Sequence, residues 1–320
     1  MQYTPLSLRR WITVSTLLLG ATLAHAAAPP AKGQAPGWYR MTLGAFEVTA
    51  LSDGTVDLPV DKLLTNTTAA KIQAALMRAY LKVPVETSVN GYLINTGSKL
   101  VLIDAGAAGL FGPTLGKLVA NLRASGYTPE QVDEIYITHM HADHVGGITA
   151  ADGKAVFPNA TVRADKKEAA FWLDQATMDK APDGMKDFFK GAMVSMKPYV
   201  DAGRFKPFDG DTELVPGIRA YATRGHTPGH AAYVVESQGQ KLVVWGDLMH
   251  VAAVQFADPS VTIQFDVDPK TAAPQRKKAY ADAAAAGYYV AIAHVAFPGI
   301  GQLRHDGKGY RWLPANYSTK

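Results

Sequence analysis

The chain has 320 residues, of which 48% are apolar, so it can bury a substantial core as one large domain or two small ones. Its 32 basic and 28 acidic residues give a formal charge of +4 without a basic stripe, which argues against nucleic acid as a partner. It contains no cysteine, so disulfides and thiolate ligands are excluded, and nitrogen and oxygen must hold any metal.

The first 26 residues have the composition of an export signal. Arg9 and Arg10 form the charged region, 11–23 form the apolar stretch, and an A-x-A cleavage site ends at Ala26. A membrane anchor would need about 20 uninterrupted apolar residues, and this stretch is shorter. We expect cleavage after Ala26, a flexible mature start over 27–37, and a periplasmic or secreted protein that does not bind membranes. General secretion is the default over twin-arginine export.

Hydrophobic periodicity predicts two rounds of strands and helices over 38–320, without a linker between them. Strands are predicted over 41–51 (with a turn at 52–54), 88–95, 100–104, 134–138, 218–223, 231–236, 242–245 and 288–293. Helices are predicted over 68–81, 115–124, 166–175 and 272–286, and the segment 178–206 is less regular. This order predicts a single α/β domain with two sheets packed face to face and helices outside.

A cluster of metal-ligand residue types follows the predicted strand 134–138. Residues 138–147 read THMHADHVGG and place His139, His141, Asp143 and His144 within six positions. Only nine histidines occur in the chain, so chance is a poor account of three in one stretch. Neutral imidazoles and a carboxylate are the usual ligands of zinc-like divalent ions. His139 and His141 project to the same side of an extended segment, so both can reach one ion.

Further ligand types stand at the ends of later predicted strands. His226 lies in RGHTPGH, Asp247 in VVWGDLMH and His294 in YVAIAHVAFPG. A single histidine at such a place is more often a surface or core side chain. Three such positions beside the His-x-His-x-Asp-His motif favour a metal site, because ligand count and spacing discriminate better than one residue.

These motifs resemble the metallo-β-lactamase superfamily. THMHADHVGG, GHTPGH, GDLMH and AHVAFPG carry the resemblance, and VPGIRAYATRGHTPGH with FPGIGQLRHDGKGYRWLPANY is similar to the methyl parathion hydrolase group and its lactonase and arylesterase relatives. The resemblance implies an αβ/βα sandwich of two mixed sheets with a two-metal site at one edge.

The resemblance also implies a ligand set and a cofactor. It assigns one metal to His139, His141 and His226, the second metal to Asp143, His144 and His294, and the bridging position to Asp247. Asp104 resembles a carboxylate that orients a ligating histidine, although it could merely cap a strand. Zinc is the expected ion, and the same donors suit manganese, iron or cobalt. His230 fits a structural role, since seven donors already complete two sites.

The implied reaction is hydrolysis by a metal-bridging hydroxide, because two divalent ions lower the pKa of a bound water to roughly 7 and stabilise an oxyanion. Asp247 is the expected bridging catalytic residue. The substrate pocket is predicted from residues in segments that flank the site in the family: Phe111, Trp172, Phe188, His250 and Phe265. Trp172 and Phe188 fit a plain core position equally well. If they line the pocket, the substrate is a small neutral molecule rather than a polyanion.

Substrate choice within the group follows from two bulky positions. The methyl parathion hydrolases carry an aliphatic residue in place of His250 and a smaller one near Phe265, so this pocket should be narrower. We expect lactones and aryl esters, typified by dihydrocoumarin, to be preferred over phosphotriesters.

Other readings remain open at this stage. They are a methyl parathion hydrolase as main activity, an acyl-homoserine lactonase, a thioesterase, a β-lactamase, a di-iron redox protein, and a metal carrier without enzymatic activity. A homodimer is also left open.

Overall fold

The computed structural model describes residue 1, residue 28 and residues 30–318. Apart from its first residue, the predicted export signal lies outside this range, and residues 30–37 form no helix or strand. The chain from Pro36 onwards forms one folded unit. No helix in the described range is both long and apolar enough to cross a membrane.

The helices and strands alternate along the described chain. The strands are β1 Trp38–Leu43, β2 Phe46–Leu58, β3 Leu64–Thr65, β4 Val85–Asn95, β5 Leu100–Ile103, β6 Glu134–Tyr136, β7 Thr161–Arg163, β8 Thr212–Val215, β9 Ile218–Ala222, β10 Ala231–Ser237, β11 Gln240–Val244, β12 Thr262–Ile263, β13 Tyr289–Ala291, β14 Ile300–Asp306 and β15 Gly309–Pro314. The α-helices are α1 Val60–Leu63, α2 Ala69–Arg78, α3 Leu118–Ala124, α4 Ala142–Val145, α5 Lys166–Trp172, α6 Gln175–Lys180, α7 Asp183–Asp201, α8 Ala252–Gln255 and α9 Pro269–Ala286.

The strands form two large mixed sheets. The first has the order β1-β2-β4-β5-β6-β7, and the second has the order β15-β14-β13-β11-β10-β9-β8. The β5–β6, β6–β7 and β11–β13 pairs are parallel, while the other pairs in these sheets are antiparallel. The strands β3 and β12 form a small separate pair. The predicted architecture of two mixed sheets is confirmed.

The two sheets face each other across an apolar core, and alternation along each strand places residues on both of its sides. Val101 of β5 and Tyr233 of β10 point into the core between the sheets, whereas their neighbours Leu102 and Val234 point outwards. Tyr136 of the first sheet stacks on Tyr233 of the second, with ring centroids 5.4 Å apart. Such a pair stabilises the fold by about 0.5–1.5 kcal/mol beyond its buried area.

Helices cover the outer face of each sheet. Residues of α3, α5 and α7 pack on the first sheet, and α9 packs on the second. On the second sheet, the Trp245 ring stacks on Tyr280 of α9 at 5.2 Å between centroids. The helices therefore lie outside the sandwich, as predicted, and the loops at one edge remain free to form a site.

Two local predictions are wrong. The turn predicted at 52–54 lies instead at Gly44, where φ is +60°, and β2 runs on through a bulge between Ser52 and Gly54. The segment predicted to be less regular contains α7, a helix of 19 residues. Its buried residues Phe189, Ala192, Met196 and Tyr199 follow a helical spacing. The strands β14 and β15 were not predicted.

Candidate metal centre

The predicted ligands meet at one edge of the sandwich. They lie on α4 and in the loops that follow β6, β9, β11 and β13, with Asp247 in a short 3-10 turn directly after β11. Each strand ends in the apolar core and delivers its polar residue at the same edge. Residues up to 155 positions apart in the chain, from His139 to His294, are thereby brought together by the two sheets.

The first group of donors is His139, His141, His226 and Asp247, and all four residues are buried. His226 Nε2 lies 3.2 Å from His139 Nε2 and 3.1 Å from His141 Nδ1. Asp247 Oδ2 lies 3.6 Å from His139 Nε2 and 3.4 Å from His226 Nε2. Three imidazoles and one carboxylate oxygen thus converge on one small volume.

The second group of donors is Asp143, His144 and His294. His144 Nε2 and His294 Nε2 each lie 3.5 Å from Asp143 Oδ2. The same two nitrogens lie 3.0 Å and 3.1 Å from Asp247 Oδ1. Asp247 therefore presents one oxygen to each group, which is the geometry that a bridging carboxylate requires.

The donor chemistry fits two divalent cations. In the first group, His226 Nε2 lies at hydrogen-bond distance from two other imidazole nitrogens, although it carries at most one N–H to share between them. His144 Nε2 and Asp247 Oδ1 are buried and make no hydrogen bond to a described residue, despite lying 3.0 Å apart. Buried polar atoms of this kind are costly unless something binds them. Seven such donors in two groups fit a dinuclear metal centre.

Outer hydrogen bonds fix the orientation of the imidazole rings. Asp104 Oδ2 lies 2.8 Å from His144 Nδ1, and the same carboxylate accepts hydrogen bonds from the backbone N–H and the hydroxyl of Thr138, each at 2.8 Å. His294 Nδ1 lies 2.9 Å from the carbonyl oxygen of Ser88. An N–H held at Nδ1 leaves Nε2 as the free donor toward a metal. The position of Asp104 agrees with its predicted orienting role.

Two acidic residues near the ligands were missed in the sequence. Asp266 Oδ1 lies 2.9 Å from His226 Nδ1. Glu168, on α5, accepts hydrogen bonds from the backbone N–H groups of Met140 and Gly229, at 2.9 and 2.8 Å. Glu168 thereby joins the two loops that carry the three histidines of the first group. Neither residue belongs to a recognisable motif, so only the folded arrangement identifies them.

His230 has the structural role that the sequence suggested. Its Nδ1 lies 2.8 Å from the Thr223 hydroxyl, and its Nε2 accepts a hydrogen bond from the backbone N–H of Asp247 at 3.0 Å. Both ring nitrogens are used, so His230 supports the backbone of Asp247.

The two glycines after the histidine motif are required by close packing. A Cβ on Gly147 would lie 1.9 Å from the carbonyl oxygen of Ala105, and one on Gly146 would lie 2.4 Å from that of Ala107. Neither glycine has a positive φ. The motif therefore packs directly against the loop that follows β5.

Burial and neighbouring charges shift the pKa values of the ligands in different directions. Burial lowers the pKa of His139 and His141 well below the usual histidine value. Burial would also lower the pKa of His144, but the nearby carboxylates of Asp247, Asp143 and Asp104 raise it well above that value. Despite its burial, Asp247 has a strongly lowered pKa because histidines surround it. Asp247 is thus held as a carboxylate.

The predicted pocket residues surround a narrow cavity above the donors. A cavity of about 30 Å³ is lined by Asp143, Asp247, His294 and four of the five predicted residues, namely Phe111, Phe188, His250 and Phe265. An adjoining cavity of about 270 Å³ shares His141, Phe188 and Phe265 with it and is also lined by Trp172. Trp172 is fully buried and contacts the His141 ring edge-on at 5.2 Å, so it is both a core residue and part of the wall.

Comparison with known proteins agrees with this fold and site. The family model of the metallo-beta-lactamase superfamily matches residues 84–295, more than half of the chain. The solved structure of a hydrolase of the beta lactamase superfamily, AbOPH, is 39% identical with a TM-score of 0.85, covering 89% of this chain and 100% of that one. The chain therefore belongs to the metallo-beta-lactamase superfamily.

Two further similarities concern lactonases. AidC, a dizinc quorum-quenching lactonase solved with a bound product, is 25% identical with a TM-score of 0.82, covering 88% of this chain and 99% of that one. An N-acyl homoserine lactonase of Bacillus sp. is 26% identical over 166 residues, covering 46% of this chain. The chain spans only 58% of the length of that relative. The superfamily and the donor set together define a metal-dependent hydrolase.

Proposed function

We propose that this protein hydrolyses lactones and aryl esters of the dihydrocoumarin type at a dinuclear centre, with zinc as the native metal. The observation that carries the proposal is that a narrow cavity opens directly onto the two groups of metal donors. Seven donors in two groups share Asp247, and the cavity directly above them is narrow and walled by aromatic rings. Two ions bound there would supply a nucleophile at neutral pH and positive charge for the developing oxyanion.

The residues of the chain would bind the two ions, orient the ligands and hold the substrate. His139, His141 and His226 would hold one ion, while Asp143, His144 and His294 would hold the other, and Asp247 would fix the spacing of the two. Asp104 contacts His144 Nδ1 and Asp266 contacts His226 Nδ1, so the two carboxylates would keep these imidazole rings turned toward the ions. The phenylalanines of the cavity would exclude water and hold a flat apolar substrate above the donors.

The shape of the cavity supports a planar substrate. His250 and Phe265 both line its narrow part, with their ring centroids 6.3 Å apart. A lactone or aryl ester is flat at its reacting carbon, whereas a phosphotriester is tetrahedral and bulkier. A crowded wall therefore favours the ester, and we propose triester hydrolysis as a minor activity only.

The test is activity and metal content on one preparation. Metal-loaded protein should contain two ions per chain and hydrolyse dihydrocoumarin and p-nitrophenyl acetate, and protein stripped of metal should not. One ion or none in active protein would contradict the dinuclear centre. Two ions without hydrolysis of any ester or lactone would favour a metal carrier.

An acyl-homoserine lactonase is the second candidate. The likeness to AidC over 88% of the chain favours it. The adjoining cavity of about 270 Å³, lined by Met185, Phe188 and Phe265, could take an acyl chain. Comparing kcat/KM for N-hexanoyl-homoserine lactone and dihydrocoumarin decides between the two, and a higher value for the former would replace the main proposal.

The substrate class, the partners and the location of the protein are also proposals. We propose a small neutral substrate, no nucleic acid or membrane partner, and export to the periplasm or medium on the strength of the first 26 residues. N-terminal sequencing of exported protein should give Ala27 as its first residue.

A further inference from the structure

The loop between β5 and α3 forms one wall of the cavity. Its tip carries Phe111, which lines the narrow cavity together with Val56 and Leu58 of β2. Four of the fourteen residues over 104–117 are glycines. Glycine leaves the backbone free to adopt many conformations, so the loop sequence alone does not fix the position of Phe111.

One buried carboxylate holds both ends of this loop. Asp53, in the bulge of β2, is 1% exposed. Its Oδ2 accepts hydrogen bonds from the backbone N–H groups of Ala107 at 2.9 Å and Gly116 at 3.1 Å, and its Oδ1 accepts one from Leu118 at 3.0 Å. The first donor precedes Phe111 and the other two follow it, so the carboxylate closes the loop around the tip.

The loop is built around this carboxylate. A Cβ on Gly106 would lie 2.4 Å from the carboxyl carbon of Asp53, so no side chain fits there. The backbone carbonyl of Asp53 accepts a further hydrogen bond from Lys117 N–H at 3.0 Å. Hydrogen bonds to a charged acceptor stabilise by more than neutral ones, and three of them act together here.

We propose that Asp53 is a positioning residue that fixes Phe111 in the cavity wall and thereby sets the preference for bulky, flat lactones over small ones. This inference rests on the proposed function, because it concerns the substrate of the same site. Asp53 acts through the loop and touches no substrate. Its loss should therefore affect selectivity more than the chemical step.

The test is a double-mutant cycle read as a ratio of two substrates. The ratio is kcat/KM for bicyclic dihydrocoumarin divided by kcat/KM for γ-butyrolactone. Asp53→Asn should lower this ratio about tenfold, because an amide turns N–H groups toward backbone N–H donors and releases the loop. Phe111→Ala should lower it similarly. In the Phe111→Ala background, Asp53→Asn should change the ratio by less than about twofold.

The matched control is Asp57→Asn, which changes an exposed carboxylate on the same strand and should leave the ratio unchanged. Metal content is measured in every variant, since Ala105 N–H donates to the carbonyl oxygen of His144 at 2.8 Å and links the loop to the ligands. Equal losses on both substrates, additive effects of the two substitutions, or loss of metal in Asp53→Asn would each overturn the proposal.

A measurement on the unaltered protein covers the case in which Asp53→Asn does not fold. The amides of Ala107, Gly116 and Leu118 should exchange hydrogen at least tenfold more slowly than those of Phe111 and Gly112. Uniformly fast exchange across the loop would overturn the role of Asp53. This readout does not depend on substrate, so it still decides the point if the proposed hydrolysis is not found.

Discussion

The floor and the wall of the site are built in different ways. The floor consists of the seven predicted metal ligands, and hydrogen bonds from residues such as Asp104 and Asp266 hold them in place. These ligands are His139, His141, Asp143, His144, His226, Asp247 and His294. The wall consists of Phe111, Phe188 and Phe265, which come from three distant segments. Phe188 and Phe265 are held by packing, whereas the loop that carries Phe111 is also held by hydrogen bonds to Asp53. A polar floor fixed by directional bonds sets the type of reaction, whereas an apolar wall can change shape at small cost and sets the choice of substrate.

The largest effect should come from the centre of the floor. Asp247→Asn should lower kcat by about 100-fold or more, because an amide cannot supply the negative charge that faces both groups of donors. The fold should survive, as judged by circular dichroism, since the neighbouring His230 and Trp245 are unchanged. Turnover within about tenfold of the unaltered protein, or about 1.4 kcal/mol of barrier, would remove Asp247 from the bridging role.

A change in the wall should alter selectivity, although His250 also contacts the floor, where its Nε2 lies 3.0 Å from Asp247 Oδ2. His250→Leu with Phe265→Leu should shift the ratio of kcat/KM from dihydrocoumarin toward methyl parathion by about 10–200-fold, because a wider cavity accommodates a tetrahedral triester. Metal content should stay at two ions per chain. An unaltered protein that prefers the triester, or an unchanged ratio in the double variant, would mean that this wall does not select the substrate.

The metal ligands of the floor were more predictable from sequence than the residues that support them. Four of the ligands lie within six positions of the chain, so their chemistry can be recognised from the sequence alone. They are His139, His141, Asp143 and His144. Asp266 is 40 positions from its partner His226, and only the packing of two loops brings them together. The same reason explains why Glu168 was missed. Long-range contacts leave no local pattern in one sequence.

The secondary structure, too, was predictable where the signal is local and not where distant contacts decide it. The strands β4, β5 and β10 were predicted because short segments rich in apolar residues and bounded by polar or turn residues are a local signal. The turn at 52–54 was predicted from Ser-Asp-Gly, yet the chain continues as a bulged strand. The tertiary hydrogen bonds of Asp53 to a loop more than 50 residues away override the turn preference.

A residue that only orients a metal ligand should contribute less to metal binding than the ligands themselves. Asp266→Asn should weaken metal binding by about 10–100-fold, because the amide orients His226 less strongly than the carboxylate. The measurement is competition with a chromophoric chelator at fixed pH. Asp209→Asn, at an exposed carboxylate, is the matched control and should bind metal normally. Equal affinities of the Asp266→Asn and Asp209→Asn variants would show that Asp266 does not support the site.

The smallest expected effect is that of pH on metal affinity. It should depend on the histidines of the floor and not on the residues of the wall. Burial would lower the pKa of His226, but Asp247 and Asp266 raise it to about 9 in the metal-free protein. His226 is therefore protonated at pH 7 and must release its proton before it can bind a metal. His139 and His141 are already neutral there, because burial lowers their pKa.

Metal affinity should consequently rise with pH between 7 and 9, by about tenfold per unit for each proton released, because His226 and His144 both have a raised pKa. Calorimetry in two buffers of different ionisation enthalpy counts the released protons directly. The Phe265→Leu variant should show the same slope, since the wall residue neither binds the metal nor titrates. A pH-independent affinity over this range would mean that His226 is neutral before the metal binds, and that the carboxylates around it do not hold its proton.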